Sequence, residues 1–280
     1  MRVKKNEKEK SLENLKLAVV GHIEWMTFLK VNHLPTAGII NHAKEYKEEP
    51  AGGGAVIALQ MSKITNHKVH FFTSLGNDSL GKKCYGRLKE LNLELHVAWR
   101  EEPTRKGISF VDNNAERSIT VIGERLQPLS NDNLPWEMLK DFDGVFVTAT
   151  DEKGLIYSRK AKSLLATPRV SLETILRSNI KLDALIGSAL DPDEEIQISQ
   201  FKDRSKTIIL TKGEKGGEFY PGGKYKAIKI DSPLIDSYGC GDNFAAGVTA
   251  GIAASWSIEE SIELGAKYGA ICATRFGPFL

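Results

Sequence analysis

Apolar residues along this chain fall into two recurring patterns. The first is a short continuous run: Leu17-Ala-Val-Val20, Val69-His-Phe-Phe72, Val145-Phe-Val147, Ala184-Leu-Ile186 and Thr207-Ile-Ile-Leu210. Runs of this kind suit strands covered on both faces, as in a mainly parallel sheet. The second pattern spaces apolar residues at three and four. Leu80, Cys84, Leu88 and Leu91 form one such helical stripe. Ser257-Ile-Glu-Glu260 opens another as a capping box, with Ile258 and Ile262 turned inward. Strand and helix alternate, which predicts an α/β fold with a doubly wound, mainly parallel sheet flanked by helices.

Two segments depart from that alternation. Residues 25–50 carry little helical periodicity. Residues 107–111 and 117–122 alternate around a turn at Asp112-Asn-Asn-Ala115 and read as a hairpin. These excursions predict a small β flap or lid, over about 24–50 and 100–122, at the edge of an active site. No internal repeat, linker or composition break divides the chain. Residues 15–280 therefore read as one domain, preceded by a charged, poorly ordered tail over 1–14.

A length of 280 residues, a formal charge of +2 and 41% hydrophobic residues describe a soluble protein and give no sign of nucleic-acid binding. No apolar run reaches the length of a membrane span, and the N-terminus lacks a signal-peptide core. Cys84, Cys240 and Cys272 are far apart and without metal-ligand spacing, which points to a reducing, cytoplasmic setting. The six histidines form no cluster; His22, His33 and His42 read as scattered structural or surface residues.

Candidate chemistry concentrates in glycine turns. Asp236-Ser-Tyr-Gly-Cys-Gly-Asp242 runs into Asn243-Phe-Ala-Ala-Gly247, a segment with helical spacing. A glycine-bracketed turn at a helix start aims backbone N–H groups at one spot, where the helix dipole also favours negative charge. An aspartate there can receive a proton while the amides hold an anion, the pairing that phosphoryl transfer to a hydroxyl requires. Pro50-Ala-Gly-Gly-Gly54 also feeds a helical segment, and Asp78 or Ser79 suits an N-cap. Thr211-Lys-Gly-Glu-Lys-Gly216 follows an apolar strand, at the end where open α/β sheets bind ligands. Neither G-x-G-x-x-G nor a Walker motif occurs.

Taken in order, the G-G-G turn, G-x-D-x-x-G, T-x-G-x-x-G and D-x-x-G-x-G-D resemble the ribokinase-like (PfkB) carbohydrate kinase family over roughly residues 15–280. The resemblance implies ATP-dependent phosphorylation of a sugar or sugar-like hydroxyl. Asp242 would be the base, and the N–H groups of Gly239, Cys240, Gly241 and Asp242 the anion hole. It implies nucleotide contacts at Thr211, Gly213, Gly216 and Ser188, with Ala270 and Thr274 near the adenine. Mg²⁺ would be organised through water by Asp191, in a motif altered to Ser188-Ala-Leu-Asp191. Asp236 is either a ligand of a monovalent cation such as K⁺ or a turn-forming residue. Cys240 fills a slot that is usually small and apolar.

At the acceptor end the family pattern is altered. Glu24 and Trp25 stand where an aspartate is common, and Val56 follows the Gly52, Gly53, Gly54 and Ala55 run where an asparagine is common. These losses argue against ribose itself. Trp25 and Phe28 either stack on a ring-bearing acceptor, which would suit a nucleoside kinase, or fill the flap core. Arg105 and Arg117 either meet a substrate phosphate or are surface charge. A non-catalytic, regulatory relative is the alternative from another class. The flap also offers an edge for pairing into a homodimer.

Overall fold

In the computed structural model, which describes residues 10–279, the five apolar runs lie in one nine-stranded sheet. Its members are β1 (Leu17–Val20), β4 (Val69–Gly76), β5 (Leu93–Arg100), β8 (Gly144–Val147), β9 (Ser163–Ala166), β10 (Leu182–Ser188), β11 (Ser205–Thr211), β12 (Gly217–Tyr220) and β13 (Lys224–Tyr225). The order is β13-β12-β11-β10-β9-β8-β1-β4-β5, parallel throughout except for the antiparallel pairs at β12 and β13. The chain runs from β1 to one side and later returns to the other, so β1 and β8 flank the crevice where such sheets bind ligands.

Helices cover both faces. Two separate apolar clusters result, one containing Val19, Phe71 and Phe146, the other Val20, Phe72 and Val147. Neighbouring strand residues thus enter opposite cores, which is why these runs are continuously apolar. The first cluster packs under α1 (Gly53–Thr65), α6 (Cys240–Ala253) and α7 (Ile258–Cys272). The stripe at Leu80, Cys84 and Leu88 belongs to α2 (Ser79–Lys89), whose N-cap Asp78 accepts from Gly81 N at 2.6 Å. Ser257 and Glu260 form the expected capping box at the start of α7. The shorter helices α3 (Glu152–Ser158), α4 (Leu172–Ser178) and α5 (Ile198–Phe201) follow β8, β9 and β10.

Both β excursions join into a second sheet of four strands, β3-β2-β6-β7, made of β2 (Glu24–Lys30), β3 (Glu45–Ala51), β6 (Lys106–Val111) and β7 (Arg117–Ile122). β2 pairs antiparallel with β3 and parallel with β6, and β6–β7 is the expected hairpin. Under this lid, Met26, Phe28, Ala51, Val56 and Tyr238 form a third buried cluster. Phe28 meets Tyr238 edge-on at 4.9 Å between ring centroids, an arrangement that contributes about 1 kcal/mol beyond burial. Phe28 is therefore lid core. The lid is also tied to the α2 side, where Arg87 grips Glu49 with two hydrogen bonds of 2.8 and 2.9 Å.

The expected tail over 1–14 lies outside the described residues from 1 to 9. Within the described part, Leu12 is buried in the first core cluster and Ser11 accepts from the Trp256 indole at 3.0 Å. The packed region thus starts earlier than the charge pattern indicates.

Candidate active site

Ligand-facing groups in a doubly wound sheet come from the C-terminal ends of its strands. Here those ends supply His22 after β1, Thr148 after β8, Arg169 after β9, Ser188 on β10 and Thr211 on β11. Ser188 and Thr211 are register partners, so they stand side by side. The turn containing Asp242 closes over this row.

Its shape follows from three local interactions. Gly239 takes the left-handed conformation at φ 77° and ends the turn as the N-cap of α6. Asn243 returns both its backbone N–H and its side-chain amide to Gly239 O, each at 2.8 Å. Buried Asp236 accepts from Tyr238 N at 2.9 Å through one oxygen and from Gly277 N at 3.0 Å through the other. Of its two expected roles, the turn-forming one is the one seen here. Above the first turn of α6, a side chain at Gly241 would meet nothing within 4 Å. Gly241 is exposed, so the helix start is open at this point, and the dipole there favours an anionic group.

Asp242 sits in that first turn, its carboxyl pushed up to about 6, chiefly by burial and then by Glu194; Arg169 and Arg117 pull the other way. A carboxylate held near neutrality suits a general base. Gly53, in the first turn of α1, faces it directly. A Cβ there would fall 3.0 Å from Asp242 Oδ1, 3.6 Å from His22 Cε1 and 3.6 Å from Thr148 Cγ2. Gly52, at φ 82°, brings its backbone equally close to His22 and Glu24. Three glycines at 52–54 therefore let α1 start against Asp242, His22 and Glu24 without a side chain between them.

Glu24, Gly52, Gly53, Gly54 and Asp242 are brought together as expected, but Trp25 is not. Successive strand residues point to opposite faces. Glu24 turns toward the turn, and Trp25 turns to the other side of the lid. There it lies under the Lys83 ammonium at 4.3 Å, in a cleft lined also by Tyr46, Glu48 and Arg87. It offers no stacking surface beside Asp242.

His22, read from sequence as a scattered residue, is buried in the site and bonded to Thr148 Oγ1 at 3.3 Å. Burial and then the charges of Arg125, Arg105 and Arg169 lower it to about 3, so it stays neutral. Asp191 stands at the end of β10 as well. It caps a one-turn helix, accepting from Asp193 N at 3.0 Å, and its other oxygen pairs with Arg169. Pro192 begins that helix and brings Glu194 back toward the strand end. Glu194 is buried, accepts from Ser188 N at 2.8 Å and from Arg169 Nε at 2.6 Å, and is the carboxylate that acts most on Asp242.

On the other flank, Gly213 and Gly216 shape the turn after β11, both at positive φ, and exposed Leu190 covers Gly213. Gly269, next to Ala270, approaches Cys240 O, which places the end of α7 beside the start of α6. Thr274 bonds Ile271 O at 2.8 Å in the following turn. The lid is bonded to the turn at 236–242 through Arg117 to Ser237 O and to the segment after α7 through Lys47 to Phe276 O, and Gly52 N, just after β3, donates to Tyr238 Oη at 3.2 Å. Among the described residues no group of three or more His, Cys, Asp or Glu side chains is arranged to hold a metal ion. No helix among them is long and apolar enough to cross a membrane.

The family described as pfkB family carbohydrate kinase matches residues 14–162 and 170–279. A ribokinase of Lactococcus lactis subsp. lactis is 24% identical over 94% of this chain and 92% of its own length. An ATP-dependent ribose-1-phosphate kinase of Halopiger xanaduensis is 21% identical over 92% and 91%. Among solved structures, Arabidopsis thaliana ribokinase complexed with ribose and ATP superposes with a TM-score of 0.70 at 20% identity, covering 94% of both chains. The match spans both the nine-stranded sheet and the lid. The chain belongs to the pfkB family of carbohydrate kinases and is a phosphotransferase of the sugar-kinase type.

Proposed function

We propose that this kinase transfers the γ-phosphoryl group of ATP to a hydroxyl of a sugar-like acceptor, with Asp242 as the base. One observation carries the reading: the Asp242 carboxyl stands in the first turn of a helix that is open at Gly241, directly against Gly53 and close to His22. The acceptor hydroxyl would lie between Asp242, Glu24 and His22, beside Gly53. As its oxygen attacks, its proton passes to Asp242, and the N–H groups of Gly239 to Asp242 hold the phosphoryl oxygens. Phosphoryl transfer has a loose transition state, so alignment and charge stabilisation contribute more than basicity.

The nucleotide would lie along Thr211, Gly213 and Gly216, with the adenine between Leu190 and the Ala270–Thr274 segment. Mg²⁺ would lie at the end of β10, near Ser188, Asp191 and Glu194, with Arg169 balancing the charge. The ion would be held mainly by nucleotide and water, as Mg²⁺ commonly is. When bound, Mg²⁺ neutralises charge on the phosphate oxygens. Asp236 shapes the turn through Tyr238 N and Gly277 N, and a monovalent cation such as K⁺ would lie beside it.

The altered acceptor residues motivate a regulatory reading, but a base beside an open helix start has no purpose in a pure binder. A nucleoside acceptor loses its support with Trp25 turned away. The exposed outer strand β7, with Ile119, Val121 and Ile122 uncovered, supports pairing of two lids into a homodimer. ADP release from ATP, measured over sugars, sugar phosphates and nucleosides, tests the main reading. Relatives are named for ribose and for ribose 1-phosphate, so both belong in the panel. ATP binding without turnover of any acceptor would sink it.

A further inference from the structure

Cys240 stands in the turn at 236–242, in a slot that is usually small and apolar, and the fold places a second thiol against it. Helices α6 and α7 run antiparallel and touch through glycine, with Gly247 facing Gly265 and Gly251 facing Ser261. Continued to the end of the pair, the same register sets Cys240, the first residue of α6, opposite Cys272, the last residue of α7. Gly269 keeps the backbones close here too, since a Cβ on it would lie 3.1 Å from Cys240 O. The two sulfurs come within hydrogen-bonding reach of each other, and both are free thiols.

Both sulfurs also contact the turn that leads to Asp242. The Cys272 thiol donates to Tyr238 O at 3.3 Å and accepts from Asn243 Nδ2 at 3.2 Å. That Asn243 amide is the one that grips Gly239 O. Cys240 Sγ faces Asp236 O at 4.0 Å. Their exposure differs. Cys272 is 1% exposed, whereas Cys240 is only partly buried and adjoins exposed Gly241 at the open helix start. A reagent in solution therefore reaches Cys240 first, with Cys272 behind it. An accessible thiol beside a resolving one is the arrangement found in redox-sensing cysteines.

We propose that Cys240 and Cys272 form a reversible oxidation site, closing to a disulfide that switches off phosphoryl transfer. The oxidant is a low-molecular-weight disulfide such as glutathione disulfide. The Cys240 sulfur attacks one of its sulfurs, breaking that S–S bond and releasing one glutathione. The Cys272 sulfur then attacks Cys240 Sγ and expels the second. Two protein thiols are oxidised, one disulfide is reduced, and the two thiol protons leave on the two glutathiones. A disulfide holds its sulfurs about 2 Å apart, much closer than two thiols in contact. Closure takes the S–H donor from Tyr238 O and draws the start of α6 toward the end of α7. Asp242 follows Cys240 by two residues. A misplacement of about 1 Å at reacting groups costs on the order of a hundredfold in rate. The loss of transfer rests on the kinase reading above, whereas the oxidation site itself does not.

The test incubates the full chain in glutathione buffers from fully reduced to mainly oxidised. Intact mass, peptide mapping and ADP release are then measured, the last with an acceptor turned over in the panel of sugars, sugar phosphates and nucleosides. The expected result is a loss of two hydrogens and a cross-link between Cys240 and Cys272, with Cys84 still free. Turnover falls by at least about tenfold and returns with dithiothreitol. Cys272→Ser forms no cross-link under the same oxidation and carries a removable glutathione on Cys240 instead. A native protein without the cross-link, a cross-link that leaves turnover unchanged, or a loss of two hydrogens that persists in Cys272→Ser overturns the inference. Each of these leaves the kinase reading intact. A reduced protein that turns over no acceptor overturns that reading and the switch with it.

Discussion

Replacing Asp242 by asparagine should make the protein more stable and nearly inactive at once. The Asp242 carboxyl is raised from 3.8 to about 6, so the folded state takes up its proton more readily than the unfolded chain does. That proton-linked stability is fully present below pH 3.8 and is lost as pH rises through about 6. Two units correspond to about 3 kcal/mol at 1.36 kcal/mol per unit, and about 1–3 kcal/mol once the opening to the cleft is allowed for. Asparagine never ionises, so Asp242→Asn should gain that amount at pH 8 and nothing at pH 4. A gain of 1 kcal/mol raises the melting temperature of a domain somewhat smaller than this one by roughly 2–4 °C, so a shift of several degrees is expected. Turnover should fall by about 10²–10⁴ with ATP binding retained. Urea unfolding of both proteins at pH 4 and pH 8, with ADP release at pH 8, measures all of this. Equal stability at pH 8, an equal gain at both pH values, or unchanged turnover would refute the reasoning.

Turnover in the native protein should decline as pH falls below about 6, where Asp242 becomes protonated, whereas His22, already neutral, adds no inflection between pH 5 and 8; a profile flat to pH 4.5 would exclude Asp242 as the base. Gly53→Ala places a methyl group 3.0 Å from Asp242 Oδ1 in a helical position that accepts alanine, so turnover should drop by about tenfold or more with the melting temperature little changed. Unaltered steady-state kinetics in that variant would show that the base does not work from this position. Val121→Lys puts a charge on the exposed face of β7 and should shift the protein from dimer to monomer in light scattering; a native protein already monomeric at high concentration rules out pairing through the lid.

What the sequence disclosed depended on how locally each feature is determined. The strand segments at 17–20, 71–72, 145–147, 184–186 and 208–209 are buried on both faces, so each shows as an apolar run without reference to its neighbours. The turn at 239–242 is legible because the glycines and Asp242 lie within four residues and create the geometry themselves. Trp25 went to the wrong side because a pleated strand reverses direction at every residue, and spacing alone does not say which face is inward. Arg125, Arg169 and His22 come from the ends of three different elements, so only the sheet order brings them together. Glu194 lies beyond Asp191 because Pro192 starts a short helix that returns it to Ser188 N, a fold-back that no linear motif conveys.

Where α6 and α7 cross, a Cβ at Gly247 would sit 2.7 Å from Gly265 Cα, and one at Gly251 would sit 2.6 Å from Ser261 Oγ. The helix that carries Asp242 is therefore held by backbone-to-backbone contact, and few substitutions along it leave its position unchanged. The lid hairpin is the reverse, with every residue of β7 exposed. Tolerance to mutation is thus unevenly divided: in a lineage of such proteins the exposed outer strand of the lid is free to vary, while the helix that carries Asp242 is held close to its present sequence.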